Sequence, residues 1–303
     1  MNASTARALV RSYLNCRVQF GRNTLEALFT RLLPARQTVE IVPGLRLALD
    51  LAKSNQRTLF WFHELAEPSL QWTIRNLLPL GGTMVDCGAN AGLMGLLALH
   101  YRSARVFFIE AHPRLQETVE ANVRLNGFDD RATMLRWAAS DAEGEAQFYL
   151  NETHDGLHSL AVQTGQSVTV RTRRLDTLFS EGIVERIDFL KIDTEGHDFA
   201  VLTGLGEQLT PTRIPRIYVE TGAALEPIAA LLRARGYEGF SALRHTLDEL
   251  PARRRAEADG AQPRHFEPLG DRAKNVLWLP ADSPETKHLR QLAAHASPST
   301  VLR

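Results

Sequence analysis

Residues 83–95 read TMVDCGANAGLMG: an apolar strand that stops at an acid and runs straight into a glycine-spaced turn. The small and apolar run AGLMGLLALHY that follows makes the stretch the first half of a strand–turn–helix unit. The alternation continues downstream. RVFFIEA is followed by PRLQETVEANVRLNG, a helix closed by Gly127 in the C′ position, and then by the strand ATMLRWAAS. After a hairpin expected across 145–175 come the strand IDFLKID, a helix through DFAVLTGL and the strand RIYVET. The helix LEPIAALLRARG and two candidate strands, YEGFSAL and NVLWLP, complete the pattern. Such alternation predicts right-handed βαβ units and an α/β fold, with a parallel sheet covered on both faces.

Upstream, apolar positions at Ala6, Leu9, Val10 and Tyr13, and at Leu25, Leu28, Phe29 and Leu32, have helical spacing. Asn23 followed by Glu26 reads as the N-cap of the second helix. TVEIVPGLRLALD, residues 38–50, reads as a hairpin around Pro-Gly, and PSLQWTIRNLLPL as a helix. The expected division is an N-terminal helical arm and hairpin over 1–66 packed on the core, a main domain over 67–281, and a tail over 282–303. Residues 247–273, with Arg253, Arg254 and Arg255, read as a loop that is either a lid or simply mobile.

Thirty-five basic and thirty-five acidic residues cancel, so no global field attracts nucleic acid, and no nucleic-acid partner is expected. Between Ala6 and Arg36 six arginines face one acid. That arm is either a cap with solvated arginines or a weak peripheral contact with a phospholipid surface. No stretch approaches the roughly 18 apolar residues of a membrane span. Two distant cysteines, Cys16 and Cys87, lack metal spacing and favour a reducing compartment, so a cytoplasmic location is expected.

In open parallel sheets the ligand lies off the carboxyl ends of the strands. A dinucleotide fingerprint starting at Gly88 would need glycine where this chain has Asn90 and Leu93. A phosphate loop would need a Lys-Ser or Lys-Thr pair, and none follows. Asp86 at the mouth of the turn would repel a polyphosphate. A ligand with an ammonium, a ribose and an adenine fits better, and S-adenosylmethionine is one. On that reading Asp86 lies near the methionine ammonium, while Gly88 and Gly92 let Ala89 and Asn90 turn tightly against the cofactor. Glu110, beside Ala111, accepts from the ribose hydroxyls. Ala139 and Asp141, in AASD at the end of the third strand, would lie beside the adenine.

VDCGANAG, FFIEAHP, LDTLF, IDFLKIDTEGHDFAVLTG and NVLWLP together resemble the FkbM-family methyltransferases, over about residues 70–280. The resemblance implies a Rossmann-like class I methyltransferase fold. It has a mostly parallel sheet with helices on both faces and an antiparallel strand near the C-terminal end. It also implies transfer of a methyl group from S-adenosylmethionine to a hydroxyl of a sugar, glycolipid or polyketide-type natural product. It places Asp86 at the cofactor's amino acid part, Glu110 at the ribose and the first residues of DTEGH at the reacting methyl. Ala111 and His112 before Pro113 are a minor departure from the family's usual Glu-Pro.

A hydroxyl is a poor nucleophile until it is relieved of its proton, which calls for a base or a metal. Asp193, Glu195, His197 and Glu220 form the dense cluster of suitable groups, with His197 or Asp193 as the base and the remaining acids orienting a small-molecule or glycan acceptor. The same four admit a version with a divalent metal. Glu195 and Asp198 also suit a helix N-terminus, and His197 a surface position. His154 and His158 fall in a loop that could face substrate. An Asn/Asp-Pro-Pro-aromatic run, expected of a nucleobase N-methyltransferase, is absent. Two alternatives stay open: a cofactor-binding but inactive regulator or partner subunit, and a protein or small-molecule N-methyltransferase.

Overall fold

The computed structural model describes residues 5–6, 8, 30–62, 66–150, 160, 166–243 and 264–294. The helices expected at 6–13 and 25–32 fall largely outside these residues. So do the basic arm, Cys16, His154, His158 and Arg253 to Arg255.

The main sheet has eight strands in the order β12-β11-β13-β10-β9-β3-β4-β5. They are β3 (Thr83–Cys87), β4 (Arg105–Ile109), β5 (Ala132–Leu135), β9 (Phe189–Ile192), β10 (Ile217–Glu220), β11 (Tyr237–Ala242), β12 (Phe266–Pro268) and β13 (Asn275–Pro280). Strands β5, β4, β3, β9 and β10 pair in parallel, whereas β13 runs antiparallel between β10 and β11. The expected Rossmann-like sheet with a late antiparallel strand is therefore present. The strand order turns back at β3 and β9, so the crevice for a ligand opens beyond their carboxyl ends.

One face of the sheet is covered by α2 (Pro68–Leu77), α3 (Leu93–Arg102) and α4 (Pro113–Leu125), together with the hairpin of β1 (Arg36–Val42) and β2 (Leu45–Asp50) and helix α1 (Ser54–Phe62). The hairpin is fixed to α4 by Asn122 and Asn126, whose Oδ1 atoms accept from the Ala48 and Arg46 backbones at 2.7 and 2.8 Å. The other face carries α5 (Thr177–Ser180), α6 (Asp198–Thr203) and α7 (Leu225–Ala234). Helix α7 shows why such segments are helices: Leu225, Ile228, Ala229 and Leu232 fall on one side and are buried. A fully buried leucine or phenylalanine contributes about 1.5–3 kcal/mol, so these two faces hold the fold.

Alternation along the strands sorts the side chains between faces. Met84, Phe189, Tyr218 and Leu277 join the core under α2 and α3, and Val85, Leu190, Val219 and Val276 the opposite one. By the same period of two, Asp86, Lys191, Glu220 and Asn275 project from the α2/α3 face.

Four features differ from the sequence expectation, the first being β12, which lies inside the expected 247–273 loop and pairs with β11. ATMLRWAAS is two strands: β5 ends at Leu135, the buried Trp137 turns the chain, and β6 (Ala138–Ser140) joins a second sheet. That sheet contains β7 (Gly144–Leu150) and β8 (Gln166–Arg174), the antiparallel pair expected across 145–175. Residues 284–294, read as tail, form helix α8 (Pro284–Ala294), with Leu289 buried and Glu285 paired to Arg216 at 2.6 Å. Helix α1 was not anticipated; Phe60, Trp61 and Phe62 are buried by it.

Candidate active site at the carboxyl ends of the strands

A cavity of about 240 Å³ opens beyond β3, β4 and β9. Its floor is the turn Gly88-Ala89-Asn90, one wall carries Glu110 and Ala111, and Ile109, Trp137, Ala139 and Phe148 supply apolar surface. Asp193, Thr194, Glu195 and His197, on the loop after β9, and Glu67 are also part of its lining. Gly88 is required here. Its φ is +71°, and a Cβ would lie 1.9 Å from the Asp193 carbonyl oxygen, so the two loops meet at this residue.

Glu110 is 6% exposed and arrives already oriented. Oε2 accepts from the Asn90 backbone N–H and Oε1 from that of His112, each at 2.8 Å. Burial pushes its carboxyl up to about 7 in spite of those two donors. His112, at the departure from Glu-Pro, caps α4: its Nδ1 accepts from Arg114 N at 3.1 Å, ahead of Pro113.

Asp86 does not lie at the mouth of the turn. It is fully buried beneath it, with Oδ2 accepting from Gly95 N at 3.1 Å and Oδ1 3.3 Å from Lys191 Nζ. The cause is register: Asp86 and Lys191 are direct partners across β3 and β9 and leave the sheet on the same face, under α3. Lys191 also donates to the Gly88 and Cys87 carbonyls, at 2.7 and 3.3 Å, and stands 3.4 Å from Asp193 Oδ2. Burial alone would lower its pKa, but the charges of Asp86 and Asp193 raise it well above the usual lysine range. Asp86 is thus a brace of the glycine turn, and Lys191 is a site residue the sequence reading passed over. A lysine inside the apolar strand FLKID was the available signal.

The cluster read as four residues divides into two. Asp193, Glu195 and Glu220 present carboxylate oxygens within 4.8 Å of one another, and His197 is not among them. His197 instead turns toward β6, its Nε2 3.0 Å from Ser140 Oγ, and burial lowers its pKa. Burial and the neighbouring Asp193 push Glu195 up to about 7 and Glu220 to about 8, the latter also hydrogen-bonded to Asp193. The Glu195 backbone is left-handed, φ +53°. It is held there by Asp198, whose carboxylate accepts from the Thr194 and Gly196 N–H groups at 2.8 and 3.1 Å. Asp198 therefore caps the loop. Glu220 and Gly92 do not line the cavity, and neither does Asp141, which is exposed and accepts from Ser140 Oγ at 3.2 Å. Glu67, before α2, had no signal in the sequence; its Oε1 accepts from Asn275 Nδ2 at 3.2 Å.

Among the described residues no helix is long and apolar enough to cross a membrane. Comparison with known proteins places the chain among methyl-transferring enzymes. It is 26% identical over 203 residues to the hexuronic acid methyltransferase AglP of Haloferax volcanii, covering 65% of this chain and 75% of that one. It is 29% identical over 187 residues to the 2-O-methyltransferase NoeI of Sinorhizobium fredii, covering 56% and 71%. The ribosomal protein L11 methyltransferase of Thermotoga maritima is 23% identical over 167 residues, covering 54% and 56%. The model of the methyltransferase FkbM domain matches residues 86–238, half of the chain and the whole stretch from the glycine turn to β11. The chain belongs to the FkbM methyltransferase family and has its Rossmann-like class I fold.

Proposed function

We propose that this protein transfers a methyl group from S-adenosylmethionine to a hydroxyl of a sugar or sugar-bearing acceptor. The observation that carries the reading is one cavity with two chemically different ends. Glu110 and apolar surface line one end, and carboxylates the other.

The residues present fit the cofactor. Glu110 holds two backbone N–H bonds and keeps lone pairs on both oxygens for ribose hydroxyls. Ile109, Trp137, Ala139 and Phe148 offer surface to a flat base, and the Gly88 turn lets the backbone approach closely. With Asp86 beneath the turn, Glu67 is, besides Glu110 and the Asp193–Glu195 loop, an acid that lines the cavity, and it suits an ammonium. When bound, S-adenosylmethionine supplies an electrophilic methyl group on a cationic sulfur.

The chain's own contribution is alignment first. Asp193, Glu195 and Glu220 accept hydrogen bonds from acceptor hydroxyls, and the cluster receives the proton that the reacting hydroxyl gives up. His197, turned toward Ser140, is not the base on this reading. A sugar acceptor agrees with the names of two relatives, a hexuronic acid methyltransferase and a 2-O-methyltransferase. The polyhydroxylated character of sugars suits a wall of carboxylates. We place the reaction in the cytoplasm, where the cofactor is available.

The test is incubation of the purified chain with methyl-labelled S-adenosylmethionine and a panel of uronic acids, neutral sugars, glycolipids and polyketide-type hydroxy compounds, alongside a cofactor titration. Labelled product from a sugar class supports the reading. Cofactor binding without product from any acceptor would favour an inactive partner subunit, and label on a protein or amine would move the reaction to nitrogen.

A further inference from the structure

We propose that Asp193, Glu195 and Glu220, with the side-chain carbonyl of Asn275, form a binding site for a hard divalent cation such as Mg²⁺ or Mn²⁺. The three carboxylates come from the ends of two neighbouring strands, and their oxygens lie within 4.8 Å of one another, a span that one ion coordinating all three can bridge. Acidic clusters alone are common at cavity edges. Asn275 is the independent observation.

Asn275 is 6% exposed, and its Oδ1 has no hydrogen-bond partner. A buried amide oxygen left in that state costs about 1–3 kcal/mol, so a partner of some kind is expected for it. Its direction follows from register. Asn275 is the direct antiparallel partner of Glu220 across β10 and β13, and directly opposed residues leave a sheet on the same face. Its Nδ2 is held by Glu67 Oε1 at 3.2 Å, and Glu67 lines the same cavity as Asp193 and Glu195. The amide is therefore held against Glu67 on the sheet face from which Glu220, its register partner, also projects. An amide oxygen cannot donate a hydrogen bond, and a cation is a partner it could share with carboxylates on its own face of the sheet.

An all-oxygen donor set selects Mg²⁺, Mn²⁺ or Ca²⁺ over the softer metals that seek thiolate or imidazole. The turn of His197 toward Ser140 removes the imidazole from the set. Among the described residues the Lys191 ammonium is shared between Asp86 and Asp193, at 3.3 and 3.4 Å, and is paired with neither glutamate of the cluster. The assignment deepens the methyl-transfer reading and rests on it for its role: the ion would take an acceptor hydroxyl oxygen as a further ligand, holding it in place and lowering its pKa.

The experiment is titration of the chelator-treated full chain with Mn²⁺, followed by calorimetry and water-proton relaxation, with Mg²⁺ as competitor. One saturable Mn²⁺ site per chain, displaced by Mg²⁺ and weakened about tenfold to hundredfold in Glu220→Gln, is expected. Asn275→Ala should weaken it about tenfold, with Asp193→Asn as a further variant should either fail to fold. Absence of a saturable site in the wild-type chain, or full affinity in Glu220→Gln, overturns the proposal. Undiminished methyl transfer in excess chelator without Mn²⁺ binding sinks the ion and leaves the function. Stoichiometric Mn²⁺ binding with no methylated hydroxyl sinks the function and leaves the ion.

Discussion

Two groups of acids stand on the same face of the sheet, one under the glycine turn and one beyond the strand ends. Asp86 below is fully buried yet paired, between Lys191 and the Gly95 N–H. Asp193, Glu195 and Glu220 are only half buried, and they crowd one another. The lower pair fixes the backbone of the glycine turn, through Lys191 and the Cys87 and Gly88 carbonyls. In the upper trio, burial and the charge of Asp193 push Glu195 up to about 7 and Glu220 up to about 8. Closely similar side chains thus differ in how deeply they are buried and how completely they are paired. Satisfied charge makes scaffold, and crowded charge makes a place for a proton, an ion or a substrate.

The comparison predicts that the two groups respond oppositely to substitution. Lys191→Met, which strands Asp86 as a lone buried charge, should lose about 3–5 kcal/mol in urea unfolding. If stability is unchanged, the lower pair is not a brace. The next effect concerns pH. Glu110, Glu195 and Glu220 all titrate higher in the folded chain than in the unfolded one, so the folded state holds more protons. Their contribution favours folding below about pH 4.5 and is lost as pH rises through about 7 to 8. For the deeply buried Glu110, the rise from 4.5 to about 7 corresponds to about 3 kcal/mol. Melting of the ligand-free chain from pH 5 to 8.5 should therefore show falling stability, and Glu110→Gln should flatten that slope.

Glu220→Gln should retain or raise stability at pH 8, since it relieves crowding, while turnover falls about tenfold to hundredfold and cofactor affinity holds. A loss of stability with full turnover would reverse the roles of the two groups. The smallest effect is expected from Ser140→Ala, which removes the partner of His197 Nε2. It should change stability by about 1 kcal/mol and turnover by less than about tenfold, measured side by side with wild type.

The sheet was legible because TMVDCG, RVFFIEA, IDFLKID and RIYVET are apolar runs that end at acids, and such strands are buried on both faces. The acids were legible as a set for the same reason. Their directions were not: whether Asp86 looks up into a cavity or down under α3 depends on its register partner 105 positions away, which no local pattern encodes. His197 and Glu220 read as neighbours from their places at adjacent strand ends, yet the left-handed turn at Glu195 swings the imidazole toward β6. The break in ATMLRWAAS was hidden because Trp137 and the alanines have the apolar character of a continuing strand. Helix α8 has alternating charge and a single deeply buried leucine, Leu289, too little apolar pattern to separate it from a solvated tail.

The most direct measurement is transfer of a carbon-13 methyl from S-adenosylmethionine, followed by NMR of the product formed from a sugar acceptor. The account predicts a new methyl ether signal on a sugar oxygen, reduced in Glu220→Gln while cofactor binding is unchanged. A methyl found on nitrogen or carbon, or a full-strength signal from Glu220→Gln, would contradict it.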